Sequence, residues 1–531
     1  MFSVPGYTPV RRRGPTVPAA PAPNVHSSHI FAMVSFMQRI SMRPAPGFGW
    51  LAVVAAVVLS TVAAAPVAGQ ITSDEFADRR AALAAAVGDG LILAMGSAAP
   101  PQDYIPFHQN SLFRYLTGFT EPDAALIMVA AGGDLHEILF VNPRDAGRET
   151  WEGIRMGPDR SLETTGIPGR SVAELSSVVD SLLAHHQEVR VVGPYQPSGV
   201  VQNDVTQRVR LLVDGHDGVS VRTINADVNA LRALKSDAEL ELLRRTVAIT
   251  VEAHREVAAH LAPGRNEFEI QAVLEMTFRR YGSERPAFAS IVGSGPNATI
   301  LHYNANDRFM EDGDMVVVDI GASYGGYAAD VTRSYPVNGR FSPEQRAIYQ
   351  LVRDAQAAAE AMAGPGVSMG AMNAEASGIL AAGLAELGLI EASDATYETA
   401  MGTRAPQLGL YYMHGLGHGI GLDVHDPAPS PLEAGAVISI EPGIYVRPNL
   451  LTEVVADTPA NRAMIERIRP AFERHVGIGV RIEDNYIVTR DGVAWISPAP
   501  REIDEIEAAL AAPRAGADRN AEWVEWYHRM R

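Results

Sequence analysis

The chain contains no cysteine at any of its 531 positions. Disulfides, thiolate zinc sites and a cysteine nucleophile are therefore excluded. It also lacks an excess of positive charge. Lys and Arg number 44 against 62 Asp and Glu, a formal net charge of -18. A surface built to hold nucleic acid is not expected from that balance. Residues 71 to about 230 carry no glycine-rich phosphate loop. The first seventy residues have no acidic side chain at all, although Arg11, Arg12, Arg13, Arg39 and Arg43 lie there. Within them Leu51 to Ala65 is an apolar run of signal-peptide length, and small residues follow at Pro66-Val67-Ala68-Gly69. Residues 1–69 are thus expected to be a leader, with export and cleavage near residue 70. An uncleaved membrane anchor is the alternative, though the run is short and Ala-rich for a spanning helix. Met33, Met37 and Met42 offer later starts.

Hydrophobic residues make up 47% of the chain and charged ones 20%, enough for a sizeable core. Residues 70–230 alternate buried-strand runs with helical ones. Gly90 to Met95, Ala125 to Ala130, His136 to Val141 and Glu188 to Val192 are the strands, and Asp74 to Val87 and Ser171 to His185 the helices. This predicts a mixed α/β domain. A second domain is expected over residues 231–512, and a short charged, aromatic tail over 513–531. Ser236-Asp237-Ala238-Glu239 has the form of a capping box ahead of a long helix to about Leu261. Pro263-Gly264 ends it, and another helix runs from about Asn266 to Tyr281. The plan recurs: Ser342-Pro343-Glu344 opens a helix, Pro365-Gly366 stops it, and a second helix reaches about Leu387. Strands bearing acidic residues follow each pair, so two related halves are expected.

Those strands carry the chemistry. Met315 to Ile320 (MVVVDI) ends in Asp319, and Tyr327 to Tyr335 (YAADVTRSY) carries Asp330. A hairpin turning about Tyr324-Gly325 puts the two aspartates directly opposite each other, with Cβ atoms roughly 4.5–5.5 Å apart. Two buried carboxylates so close need a proton or a cation. Tyr412 to Asp426 reads YMHGLGHGIGLDVHD. Its four glycines disfavour a helix, and no Glu follows His414, which rules out the zincin helix motif. As an extended segment it puts His414, Leu416, His418 and Ile420 on one face and the glycines on the other. Those glycines admit close approach of a backbone or ligand. Ala436 to Glu441 is a buried strand ending in a carboxylate. Gly477 to Asp484 is another, with Arg481 and Glu483 at spacing two.

Taken together, the chain resembles the Xaa-Pro aminopeptidases (aminopeptidase P) and the related prolidases, metallopeptidases of the pita-bread fold. The motifs that carry the resemblance are ILHYN with His302, VVVDIGASYGGYAADVTRSYPVNGRF, HGLGHGIGLDVHD, ISIEPGIY and GVRIEDNYIVT. FHQNSLFRYLTGFTEPDAALIMV resembles the family's N-terminal domain. The resemblance spans about residues 72–512. It implies an N-terminal mixed α/β, creatinase-like domain followed by a pita-bread α+β catalytic domain with a pseudo-twofold repeat. It implies Asp319, Asp330, His418, Glu441 and Glu483 as ligands of two divalent metal ions, Asp319 on one metal, Asp330 and Glu483 bridging, His418 and Glu441 on the other. Such an oxygen-rich set suits Mn²⁺ first, with Co²⁺ or Zn²⁺ as lesser options. All five are intact, which counts against a creatinase-like or catalytically dead relative.

The same resemblance implies a shared water acidified by the metals, Glu441 as general base and proton shuttle, and His425 as oxyanion donor. His302, His414, His425, Arg481 and Tyr445 are implied as substrate-binding, with His302 also part of the catalytic set. The implied substrates are peptides with proline at position two. A prolidase cutting only dipeptides is the runner-up, and a non-catalytic peptide-binding protein is a third reading. Relatives often form dimers or tetramers in which the N-terminal domain nears a neighbour's cleft, and Trp151 stands where they carry a cleft-narrowing tryptophan. Packing of Trp151 within its own domain is the plainer alternative. The long stretch from Val446 to Val476 joins two ligand-bearing strands and is expected either to shape substrate entry or to be a surface insertion.

Overall fold

The computed structural model describes residues 71–196 and 203–511. The expected leader and C-terminal tail lie outside them. The N-terminal domain is a mixed sheet of six strands, β1 Gly90–Met95, β2 Ala125–Ala131, β3 Asp134–Val141, β4 Gly169–Ser171, β5 Glu188–Val192 and β6 Ser220–Thr223, in the order β4-β3-β2-β1-β5-β6. β1 is apolar throughout because both its faces are covered. Leu91, Leu93 and Met95 enter one core, while Ile92 and Ala94 enter the core on the opposite face, the period of two that a strand imposes. Helices α1 Ser73–Val87, α2 Ser111–Thr117, α3 Ala146–Glu152, α4 Leu175–Leu183 and α5 Asn225–Arg232 accompany the sheet. The helix expected from Ser171 begins as a 3₁₀ turn, Val172–Glu174, before α4.

In the second domain the plan of a helix pair followed by an antiparallel sheet appears twice. The first pair is α6 Asp237–His260 and α7 Glu267–Arg280, and the second is α8 Pro343–Met362 and α9 Met369–Glu386. The capping box of α6 is formed: Ser236 Oγ accepts from Glu239 N at 3.2 Å, and Glu239 Oε2 accepts from Ser236 N at 2.9 Å. A cap of this kind stabilises a helix by about 1 kcal/mol. The first sheet joins β7 Ile291–Ser294, β8 Met315–Ile320 and β9 Val331–Pro336 in the order β9-β8-β7. The second half supplies β10 Val437–Ile440, β11 Gly443–Tyr445, β12 Gly479–Arg481, β13 Asp484–Thr489 and β14 Gly492–Trp495. Of these, β10, β13 and β14 form one sheet and β11 pairs with β12.

The hairpin between Asp319 and Asp330 differs from expectation. Its short strands pair Ser323 with Ala328 and Tyr324 with Tyr327, so the turn is Gly325-Gly326. Both glycines have positive φ, 59° and 85°, the conformation a two-residue hairpin turn demands and a tyrosine resists. The register therefore moves by two. Thr332 lies opposite Asp319, and Val331 opposite Ile320. The strand predicted over Tyr327 to Tyr335 is also interrupted, at Ala329-Asp330. There the chain crosses close to Gly321, where a Cβ would stand 1.8 Å from Ala329 O.

All described residues fall in one unit, and buried charge ties the two domains together. Ser236 Oγ donates to Glu75 Oε1 at 2.7 Å, and Arg79 pairs with Glu239 at 3.2 Å. Residues Val446 to Val476 include α10 Pro459–His475, which packs on the hairpin strand Thr396–Glu398 and on α8. No helix among the described residues is long and apolar enough to cross a membrane.

Candidate metallopeptidase active site

Four strand ends and one loop deliver five polar side chains to one place. Asp319 is the penultimate residue of β8, Asp330 precedes β9, Glu441 follows β10 and Glu483 sits between β12 and β13. His418 comes from the glycine-rich loop. Its Nε2 lies 3.5 Å from Asp330 Oδ2, 3.4 Å from Glu441 Oε1 and 3.9 Å from Glu483 Oε1. Ligand atoms of Asp330, His418 and Glu483 lie within 4.8 Å of one another. His418 Nδ1 is 3.0 Å from Gly419 O. A carbonyl only accepts, so Nδ1 carries the proton and the Nε2 lone pair faces the carboxylates, as a metal-binding imidazole requires. Burial holds His418 down to about 4, which keeps it neutral.

The glycines of this loop serve close backbone passage. A Cβ on Gly417 would sit 2.2 Å from Ser439 O, one on Gly419 2.2 Å from Asp426 O, and one on Gly421 2.3 Å from Asp426 Oδ2. The expected alternation of one face does not hold. Leu416 and Ile420 enter the hydrophobic core, whereas His414 and His418 line the cavity. The segment hydrogen-bonds along β10 through Leu416 O, His418 O and Ile420 N, but it pairs there only as isolated bridges from Gly419 and is not a regular strand.

The carboxylates fit a cation. Asp319 Oδ1, Asp330 Oδ1 and Glu483 Oε1 are buried without any hydrogen-bond partner. Burial, then the charge of Asp319, pushes Glu483 up to about 7. Asp330 is pushed well above the usual carboxylate range by burial and by Glu483, Asp319 and Glu441, and Glu441 likewise by burial and Glu483. Orphaned oxygens and mutually repelling carboxylates are expensive in a dry interior unless a positive ion joins them.

The site opens into a cavity of about 610 Å³. His302, His414, His425 and Arg481 all lie on its wall, as expected. Tyr445, expected to touch substrate, is fully buried and stands behind the wall. There it completes a directed chain. Arg481 Nη1 donates to Tyr445 OH at 2.8 Å, Tyr445 OH meets His414 Nε2 at 2.9 Å, and His414 Nδ1 meets Gly415 O at 2.8 Å. With Nδ1 protonated toward the carbonyl, His414 accepts from Tyr445 and is held neutral, its pKa lowered by burial to about 4. Arg481 also donates to Asp319 Oδ2. The His425 ring stacks against His418, centroids 4.0 Å apart and planes at 38°.

Other side chains of the site escaped the sequence. Thr332 Oγ1 donates to Glu483 Oε2 at 2.9 Å, and Ser439 Oγ accepts from His418 N at 3.1 Å. Phe288, Ile291, Leu301 and Val424 supply the apolar wall. Single hydroxyls and apolar residues carry no pattern of their own. Thr332 becomes legible only once the hairpin register is known. None of residues 446–476 lies on the cavity wall. Trp151 lies in α3 and is 78% exposed, so it does not pack within its own domain.

Residues 241–490 match the description "Metallopeptidase family M24", and residues 76–192 match "Aminopeptidase P, N-terminal domain". The chain is 33% identical to the Xaa-Pro aminopeptidase of Escherichia coli K12 over 84% of this chain and 99% of that one. It is 32% identical to the human Xaa-Pro dipeptidase, over 80% of this chain and 90% of the relative. Among solved structures, proline aminopeptidase P II from Yersinia pestis superposes with a TM-score of 0.71 at 30% identity, covering 83% of this chain and all of that one. The two-domain architecture agrees with these relatives, and the chain belongs to metallopeptidase family M24, with the Xaa-Pro aminopeptidases.

Proposed function

We propose that this cavity hydrolyses the bond between an N-terminal residue and a penultimate proline in peptides. The observation that carries the reading is the buried, unpartnered oxygens of Asp319, Asp330 and Glu483, beside a neutral His418 whose Nε2 faces Asp330, Glu441 and Glu483. Asp319, Asp330, Glu483, His418 and Glu441 would hold a pair of divalent ions, Mn²⁺ before Co²⁺ or Zn²⁺ given four carboxylates and one imidazole. Such ions supply Lewis acidity, which acidifies water and polarises a carbonyl. Glu441 takes the proton of the attacking water and delivers it to the proline nitrogen as the C–N bond breaks. His425 donates to the oxygen that gains charge on the scissile carbonyl. His302, His414 and Arg481 orient the peptide, and Phe288, Ile291 and Val424 offer an apolar surface for the proline ring.

Xaa-Pro dipeptidase activity is the second reading, favoured by the likeness to the human dipeptidase. Release of the first residue from Xaa-Pro-Yaa tripeptides, compared with Xaa-Pro dipeptides, separates the two. Turnover of dipeptides alone would establish the second. The exposed Trp151 supports an assembly in which one subunit's N-terminal domain narrows another's cleft. The apolar run Leu51 to Ala65 supports export with a mature start near residue 70, and N-terminal sequencing of native material tests it. A chain retaining that run points to a membrane anchor.

A further inference from the structure

His425 sits between two aspartates that are gripped from outside the catalytic strands. Arg232, the last residue of α5, is 3% exposed. Its Nη2 donates to Asp423 Oδ2 at 2.7 Å and also to Asp426 Oδ1. Lys235 Nζ donates to Asp426 Oδ2 at 2.9 Å and to Pro427 O at 3.2 Å. Ser111, at the start of α2, donates to Asp423 Oδ2 at 2.7 Å. The loop closes on itself as well. Asp426 N donates to Gly419 O at 2.8 Å, and Asp423 N donates to Asp426 Oδ1 at 3.1 Å. Both oxygens of Asp426 are thus occupied by cations in a buried setting, where charge-assisted bonds are strong and geometrically exacting. Replacing a buried ion pair by apolar groups is often neutral or stabilising, so stability alone is weak reason for two cations here. What the cluster does fix is the path of the six residues from Gly421 to Asp426. His425 is itself exposed, and its ring lies against that of His418, centroids 4.0 Å apart.

We propose that Arg232 and Lys235, acting through Asp423 and Asp426, hold the His425 ring against His418 at the mouth of the carboxylate cluster. Arg232 is then a positioning residue contributed from the junction with the N-terminal domain, and Ser111 extends the same grip to α2. The inference rests on the reading of His425 as the oxyanion donor. A histidine displaced by about 1 Å loses much of its effect on rate, up to roughly 10²-fold.

The test uses the full chain loaded with Mn²⁺ and an Xaa-Pro-Yaa tripeptide. Arg232→Met, Arg232→Lys and Asp423→Ala are made alone and in combination with His425→Ala. Asp423 is half exposed, so its variant carries the test if Arg232→Met does not fold. Expected are a loss of about 10- to 100-fold in kcat for Arg232→Met, KM and metal content near wild type, and partial recovery in Arg232→Lys. In the His425→Ala background the same substitutions cost nothing further, because they act through a ring already removed. A crystal structure of the Arg232→Met or Asp423→Ala protein shows His425 off the His418 face. Equal losses in both backgrounds, metal loss in step with activity, or an unmoved His425 ring overturn the inference. Full turnover in His425→Ala alone sinks the oxyanion reading instead, and the ring position then decides the inference by itself.

Discussion

Asp319 faces Thr332, not Asp330, across the β8–β9 ladder. That single pairing organises the site. Thr332 is free to donate to Glu483, and Asp330 falls at the break in the strand, where its main chain is pinned: Asp330 N donates to Asn485 Oδ1 at 3.1 Å. A shift of one residue would have turned every side chain to the other face. A shift of two preserves the face and still brings the aspartates together.

Asp330→Asn is expected to leave the fold intact, cut bound metal and nearly abolish peptidase turnover. Its Oδ1 has no partner and its Oδ2 faces His418 Nε2, so the amide removes charge where cations are held. Metal analysis and a tripeptide assay check this. Wild-type metal content with wild-type turnover contradicts it.

Chelation should destabilise the protein more at pH 8 than at pH 5. Without cations, Glu483 titrates near 7, above its ordinary carboxylate value, and Asp330 and Glu441 are raised as well. Between the ordinary carboxylate range and about pH 7 the folded chain binds more protons than the unfolded one, so its stability falls as pH rises. The stability is whole below the unfolded value and lost on rising through about 7. For Glu483 this amounts to roughly 3 kcal/mol. The difference in Tm with and without chelator, measured at both pH values, is the readout. A larger drop at pH 5 runs against the assignment.

His425→Ala should keep its metal and lose about 10²–10³-fold in turnover, the usual cost of one oxyanion donor. Loss of metal instead would mean that His425, not His418, is the ligand.

Trp151→Ala should change the preference between dipeptides and longer peptides without changing metal content. Trp151 is 78% exposed, and Ile154 close by is 77% exposed, apolar surface of the kind that marks a contact. Light scattering and paired kinetics are the check. A monomer whose variant keeps its length preference rules the contact out.

Much of this architecture is legible in the sequence where one local signal acts alone. Gly90 to Met95 and Met315 to Ile320 are strands with the bounds their apolar runs suggest, the Ser236 capping box opens the helix it announces, and Ser342-Pro343-Glu344 opens the next long helix. The five acidic and histidine positions converge because each sits at a strand end or in a loop that glycine allows to pass close. What was not legible depends on register and on partners distant in the chain. The Gly325-Gly326 turn outweighed the apparent Tyr324-Gly325 centre because only glycine takes positive φ without strain at both turn positions. Tyr445 looks like a cleft residue, yet burial assigns it to holding His414 and Arg481. Arg232 reads as an ordinary helix-end cation until Asp426, far along the chain, meets it.

The central claim is proline-specific, metal-dependent removal of an N-terminal residue. Protein stripped by chelator and reloaded with Mn²⁺ should release Xaa from Xaa-Pro-Yaa, and should do so neither without metal nor from the matching Xaa-Ala-Yaa peptide. Metal-loaded protein that leaves Xaa-Pro-Yaa uncut, or that cuts both peptides equally, would contradict the account.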